Sequence, residues 1–217
     1  MKIATAVLVL MELFVSAVKA DFILKYIVET SGQRFEVATK QTDTNLRFDS
    51  SEYSVIESFT GNNTAILFHT SRTWVKLDSE SLRFMLSLTG KLGGQFKTED
   101  LKPTGKTETI NGYETREFKG SMAGIQISVF VTENFQIDSK IEKMMRKWAD
   151  SPAADAFRDI VAVAEKCPGF PIRIVYEVLG TTSSLTFKSL EEARLDDSEF
   201  AVPSDYKEMP LPEFLGH

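Results

Sequence analysis

Between residues 125 and 132 the chain alternates almost without error, with Ile125, Ile127, Val129 and Val131 on one side and Gln126, Ser128 and Thr132 on the other. A repeat of two is the side-chain period of a β-strand, and this regularity predicts a strand that buries one side and leaves the other more polar. The pattern recurs along most of the chain. From residue 22 to residue 59, Phe35/Val37, Leu46/Phe48 and Val55 stand at alternate positions between the polar clusters Thr30-Ser31-Gly32 and Thr42-Asp43-Thr44, which predicts a meander of short strands. Gly61-Asn62-Asn63 then leads into two apolar segments, 65–69 and 73–77, joined by Thr70-Ser71-Arg72. The strongest local signal is Asn111-Gly112 between residues 106–110 and 113–119. Asn-Gly readily adopts the two positive φ angles of a tight type I′ hairpin turn. Strands resume at 171–178 and 184–195, divided by Gly180-Thr181-Thr182, before a Pro-spaced tail.

Two stretches break the period. After Asp78-Ser79, Leu82, Met85 and Leu86 fall at helical spacing up to Gly90, predicting a helix of about three turns. Ile141, Met144, Met145 and Trp148 then stand at i, i+3, i+4 and i+7, with Ser139 and Glu142 at capping-box spacing. Ser151-Pro152 restarts a second helix carrying Phe157, Ile160, Val161 and Ala164 and ending at Cys167-Pro168-Gly169. The expected fold is mainly β (α+β): an incomplete antiparallel β-barrel or strongly curved sheet, with a short helix and a helical hairpin at 138–166 covering its concave face.

Residues 1–20 read as a secretory signal, with Lys2, an apolar run over 3–11, and Val18-Lys19-Ala20 before Asp21. Glu12 interrupts the run, so an uncleaved amphipathic helix is the competing account. Residue 21 is Asp and not Cys, so no lipid-anchored amino terminus is expected, and no later stretch has the length of a membrane span. A periplasmic or secreted protein of one domain over 21–217 follows. The 217 residues, 42% hydrophobic and 26% charged, are ordinary for a globular domain, and a net charge of −6 without a basic run disfavours nucleic acid. The single cysteine, Cys167, excludes an internal disulfide and cysteine metal clusters, and its place at a helix end favours a buried apolar role over a reactive thiol.

No catalytic, cofactor or metal set emerges. Of two histidines, His217 is the last residue and His69 ends a strand, where a hydrogen-bonded or solvated imidazole is expected. Asp196-Asp197 and Glu191-Glu192 are adjacent pairs that point to opposite faces of a strand. What remains is an apolar stripe, Met85, Leu86, Ile127, Val129, Met144, Met145 and Trp148. Methionine repacks around varied apolar shapes, so these residues are candidates to line a ligand cavity. The plain alternative is that they are helix faces packed on the sheet.

Residues 107–114 (Thr107-Glu108-Thr109-Ile110-Asn111-Gly112-Tyr113-Glu114), Gly169-Phe170-Pro171-Ile172-Arg173 and Phe200-Ala201-Val202-Pro203-Ser204-Asp205-Tyr206 resemble bacterial exported proteins grouped as domain of unknown function 4412. These in turn look like distant relatives of the LolA and LolB lipoprotein carriers. That resemblance implies a half-barrel with helices over an apolar concave face, and for the carriers, binding of acyl chains there. It implies no catalytic residues. Two functions fit: an envelope protein holding a lipid or other apolar small molecule, or a ligand-free structural module that docks another envelope protein.

Overall fold

The computed structural model describes residues 21–60, 63–78, 81, 99–122, 125–135, 168–178 and 180–210. The expected signal at 1–20, the helix after Leu77, the helical hairpin at 138–166 and Cys167 lie outside the described residues.

Twelve strands form one sheet: β1 (Asp21–Thr30), β2 (Gln33–Gln41), β3 (Asn45–Asp49), β4 (Tyr53–Ser58), β5 (Asn63–Phe68), β6 (Thr73–Asp78), β7 (Glu99–Ile110), β8 (Tyr113–Met122), β9 (Ile125–Thr132), β10 (Phe170–Val178), β11 (Thr181–Ala193) and β12 (Lys207–Glu208). Their order is β12-β6-β5-β4-β3-β2-β1-β11-β10-β9-β8-β7. Two meanders, β1 to β6 and β7 to β11, are thus joined along β1 and β11, whose register runs antiparallel from Asp21↔Ala193 to Thr30↔Ser183. Every pairing is antiparallel except β12 beside β6, and the edges are β7 and β12.

The sheet is strongly curved. Two strands separate β7 from β10, a distance of roughly 14 Å in a flat sheet. Yet Arg173 Nη1 of β10 donates to Glu108 Oε1 of β7 at 2.9 Å. Asn111, at the tip of the β7–β8 hairpin, reaches β11 and donates from Nδ2 to the Phe187 carbonyl at 2.8 Å. The turn has the expected chemistry, with φ +51 at Asn111 and +82 at Gly112. Bulges between Lys25 and Tyr26 and between Pro171 and Arg173 supply local bends.

The alternation in β1 is plain: Phe22, Leu24, Tyr26 and Val28 are buried, and the residues between them are half-buried. In β9 the expectation of one more polar side needs correction. Phe130 and Thr132, on the side opposite Val129 and Val131, are also buried. Lys106 and Arg173 stand over the Phe130 ring at 5.0 and 5.9 Å from its centre, so two cations cover an aromatic face that alternation assigns to solvent. β7 also begins earlier than its turn signal indicates, at Glu99, and carries Pro103, Gly105 and two register shifts. Proline, glycine, bulges and the exposed Lys102 and Lys106 make this edge a poor template for another strand.

The Pro-spaced tail proves to be a strap. Residues 195–209 cross the outer face of β3 to β6, where Phe200 joins Ile56 and Leu67 in a second core flanked by Ala65, Trp74, Leu195, Val202 and Tyr206. A 3-10 turn, Asp197–Phe200, presents Phe200. Arg47 Nη1 donates to the Glu199 carbonyl at 2.8 Å and Lys40 Nζ pairs with the Glu199 carboxylate at 2.6 Å. Farther along, the Met209 amide donates to the Trp74 carbonyl at 2.7 Å. Because Phe200 is the strap's buried anchor, Phe200→Ala is expected to cost about 3 kcal/mol. Denaturant titration measures the loss, and limited proteolysis should cut first beyond residue 195; unchanged proteolysis would show that the ion pairs hold the strap without the ring.

Candidate functional site

Cross-strand register assigns one face of the sheet to a continuous interior. One row runs Phe22, Gln41, Leu46, Glu57, Thr64 and Leu77 across β1 to β6. The next runs Leu24, Thr39, Phe48, Val55, Ile66 and Val75. On the other side of β1, Tyr26 faces Phe187, Val28 faces Leu185, and Leu185 continues to Ile174 and Val129. A last row holds Ile127, Tyr176, Ser183 and Thr30. Along β1, the eight residue steps from Phe22 in the Gln41 row to Thr30 in the Tyr176 row span roughly 26 Å.

This face is mostly apolar and largely buried, with Val28 and Ile172 at 0% exposure. Of the seven expected lining residues, Ile127 and Val129 lie in it at 5% exposure each. Met85, Leu86, Met144, Met145 and Trp148 lie outside the described residues. Near Phe187 the interior becomes aromatic. Phe135 stacks on Phe170 at 4.1 Å between ring centres, and Tyr113, Tyr26 and Phe170 meet the Phe187 ring edge to face at 5.1 to 6.2 Å.

Besides the threonines and Ser183 of these rows, four polar groups interrupt this surface, and sequence reasoning singled out none of them. The Gln41 side chain is buried, and neither its amide nitrogen nor its oxygen has a hydrogen-bond partner. The hydroxyls of Tyr26 and Tyr176 are likewise buried without partners. Burial drives the Tyr26 phenol far up. It pushes Tyr176 to about 12, an effect offset in part by the Ser183 hydroxyl beside it, which itself lies 2.7 Å from the Thr30 hydroxyl. Glu57, 7% exposed, has its carboxyl pushed up to about 7 by burial. An unpaired buried donor or acceptor costs about 1–3 kcal/mol, so three orphaned side chains on one face require an explanation beyond core packing. The available signal was a glutamine and a glutamate at interior positions of alternating strands, which period-2 analysis can flag only once the register is known.

The outer face brings Ser54, His69 and Asp49 together, a set absent from any sequence motif. Ser54 Oγ donates to Asp49 Oδ1 at 2.6 Å, and His69 Nε2 lies 2.9 Å from the same Oγ. Since the single hydroxyl proton is directed at Asp49, the Nε2 proton must point at Ser54, and Nδ1 accepts from the Tyr206 hydroxyl at 2.6 Å. A nucleophilic serine needs the reverse, an imidazole lone pair aimed at its hydroxyl and an acid on the far nitrogen. Ser54 is also fully buried. This network ties the strap to the sheet, in keeping with a hydrogen-bonded strand-end histidine.

Two surface clefts are lined mostly by polar residues. One of 440 Å³ is lined by Thr107, Glu108, Arg116, Glu133 and Asn134 among others, with Arg116 paired to Glu133 and Glu108 to Arg173. Another, 370 Å³, is lined by the β1–β2 turn and the hydroxyls of Thr182, Ser183 and Ser184, at the end of the interior where Tyr176 sits. Among the described residues no three His, Cys, Asp or Glu side chains could hold a metal ion, and no helix is long and apolar enough to cross a membrane.

The model of one protein family, a domain of unknown function (DUF4412), matches residues 8–206. Among curated proteins, none matches the chain in sequence. Solved structures similar to it include PNGF-II, 13% identical with a TM-score of 0.43 over 91% of this chain. The chain spans only 32% of the length of PNGF-II. The lipoprotein LppX of Mycobacterium tuberculosis is 12% identical, with 88% of this chain and 99% of LppX covered and a TM-score of 0.43. A LolA superfamily protein of Nitrosomonas europaea is 11% identical, with 90% and 97% covered and a TM-score of 0.36.

Proposed function

The chain belongs to the DUF4412 family of domains of unknown function, and from that premise we propose that it is an exported binding protein whose curved inner face holds an apolar ligand, a lipid or acyl chain. The observation that carries this is the composition of that face: a long apolar surface broken by three buried side chains, Gln41, Tyr26 and Tyr176, whose polar atoms have no partner in the protein. Binding interiors combine a predominantly apolar lining with a few placed polar groups in this way, whereas a filled core excludes unpaired ones. Ile127 and Val129 contribute from β9, and Met85, Leu86, Met144, Met145 and Trp148 are the side chains proposed to close over the ligand. Each methylene buried adds about 0.8 kcal/mol, so a long acyl chain survives purification. The role needs no catalytic step, and residues 1–20 direct the protein out of the cytoplasm, to the periplasm or medium.

Organic extraction of natively purified protein, followed by mass spectrometry, should return lipid in near-stoichiometric amount. A clean extract together with no uptake of a fluorescent fatty acid would exclude the proposal. It would favour the second function, a filled structural module docking another envelope protein. One observation supports that alternative: the Gln41 amide has essentially no contact with solvent, so a ligand must displace side chains packed over it.

A further inference from the structure

The Gln41 amide presents a hydrogen-bond donor beside an acceptor, both on the inner face and both unpaired. We propose that Gln41 seats the polar end of the ligand, which carries an acceptor beside a donor of its own: a neutral carboxylic acid or a carboxamide at the end of an acyl chain. The inference rests on the proposed ligand-binding function and specifies its substrate class.

A carboxamide edge and a carboxylic acid edge are complementary, each donating one hydrogen bond and accepting the other, so one such group satisfies both Gln41 atoms at once. An ester or a hydrocarbon cannot, because it has no donor for the Gln41 oxygen. The setting selects an uncharged end. Gln41 lies between Phe22 and Leu46 in its cross-strand row, without a cation among these neighbours. Glu57, one position beyond Leu46 and roughly 10 Å from Gln41, occupies surroundings whose burial favours the neutral acid. From this row the mostly apolar face continues for roughly 26 Å towards Tyr176, a span as long as an extended acyl chain. Without a ligand the orphaned amide is a standing cost, which a matched ligand end removes.

The full exported protein, stripped of lipid and loaded with a fluorescent apolar probe, should be titrated with palmitic acid, palmitamide and methyl palmitate. Palmitic acid at acidic pH and palmitamide are expected to displace the probe at concentrations at least about tenfold below the methyl ester. Gln41→Leu should bring all three within about threefold by weakening the acid and the amide and leaving the ester unchanged. Equal displacement by the three in the native protein overturns the inference while leaving acyl binding intact; failure of all three overturns both. A preference that persists in Gln41→Leu places the polar end elsewhere and also overturns it. Should Gln41→Leu fold poorly, Gln41→Met carries the same comparison, and the ligand series on the unmodified protein stands without any variant.

Discussion

Gly169→Ala is expected to destabilise the protein by more than about 3 kcal/mol, among the largest single-methyl effects the fold allows. Gly169 enters β10 with φ +129, a region that L-residues rarely adopt. A Cβ built there would stand 2.5 Å from the Thr132 carbonyl oxygen and 3.0 Å from its carbon. Both atoms belong to backbone held in register by Phe170↔Thr132, so neither can rotate away as a side-chain terminus would. Gly112→Ala isolates the conformational part of that cost, since Gly112 has φ +82 but nothing within 4 Å of the place its methyl group would occupy. It should lose only about 1–2 kcal/mol. Urea unfolding of the two variants measures the difference, and equal losses would mean that β9 and β10 shift apart to admit the methyl group.

Glu57→Gln should stabilise the protein at pH 8 by roughly 3 kcal/mol and scarcely at all at pH 4. Burial raises the carboxyl from 4.5 to about 7 in the folded chain. Below pH 4.5 the group is protonated in both folded and unfolded states and costs nothing. As pH climbs from 4.5 to about 7 the unfolded chain releases the proton and the folded one retains it, so stability falls; above about 7 the full penalty is present. Glutamine keeps the shape and cannot ionise. Denaturation midpoints of both proteins at pH 4, 5.5, 7 and 8.5 should therefore diverge as pH rises. A constant difference across that range would mean that the carboxyl titrates as it does in water.

The strand content was legible because its signals are local. Ile127 and Val129 face the interior as their alternation requires, and Asn111-Gly112 forms the positive-φ turn its side chains favour. Phe130 escaped because cation cover by Lys106 and Arg173 depends on strands β7 and β10, not on its neighbours in sequence. The tail escaped for a related reason. Its prolines and short apolar residues carry no period, yet Phe200 and Tyr206 find the outer face of β4 and β5 more than a hundred residues away.

The candidate site divides along the same line. Apolar lining positions on strands could be named from a two-residue repeat. Gln41 and Glu57 could not, because a polar residue in a strand is ordinary until its face is known to be buried. Alternation and turn chemistry act over a few residues, so the sequence alone determined where strands run and where hairpins reverse. Pairing β1 with β11 and curling β7 over towards β10 join residues far apart in the chain. Only that long-range register decided which face became the interior, and so which polar atoms lost water without gaining a partner.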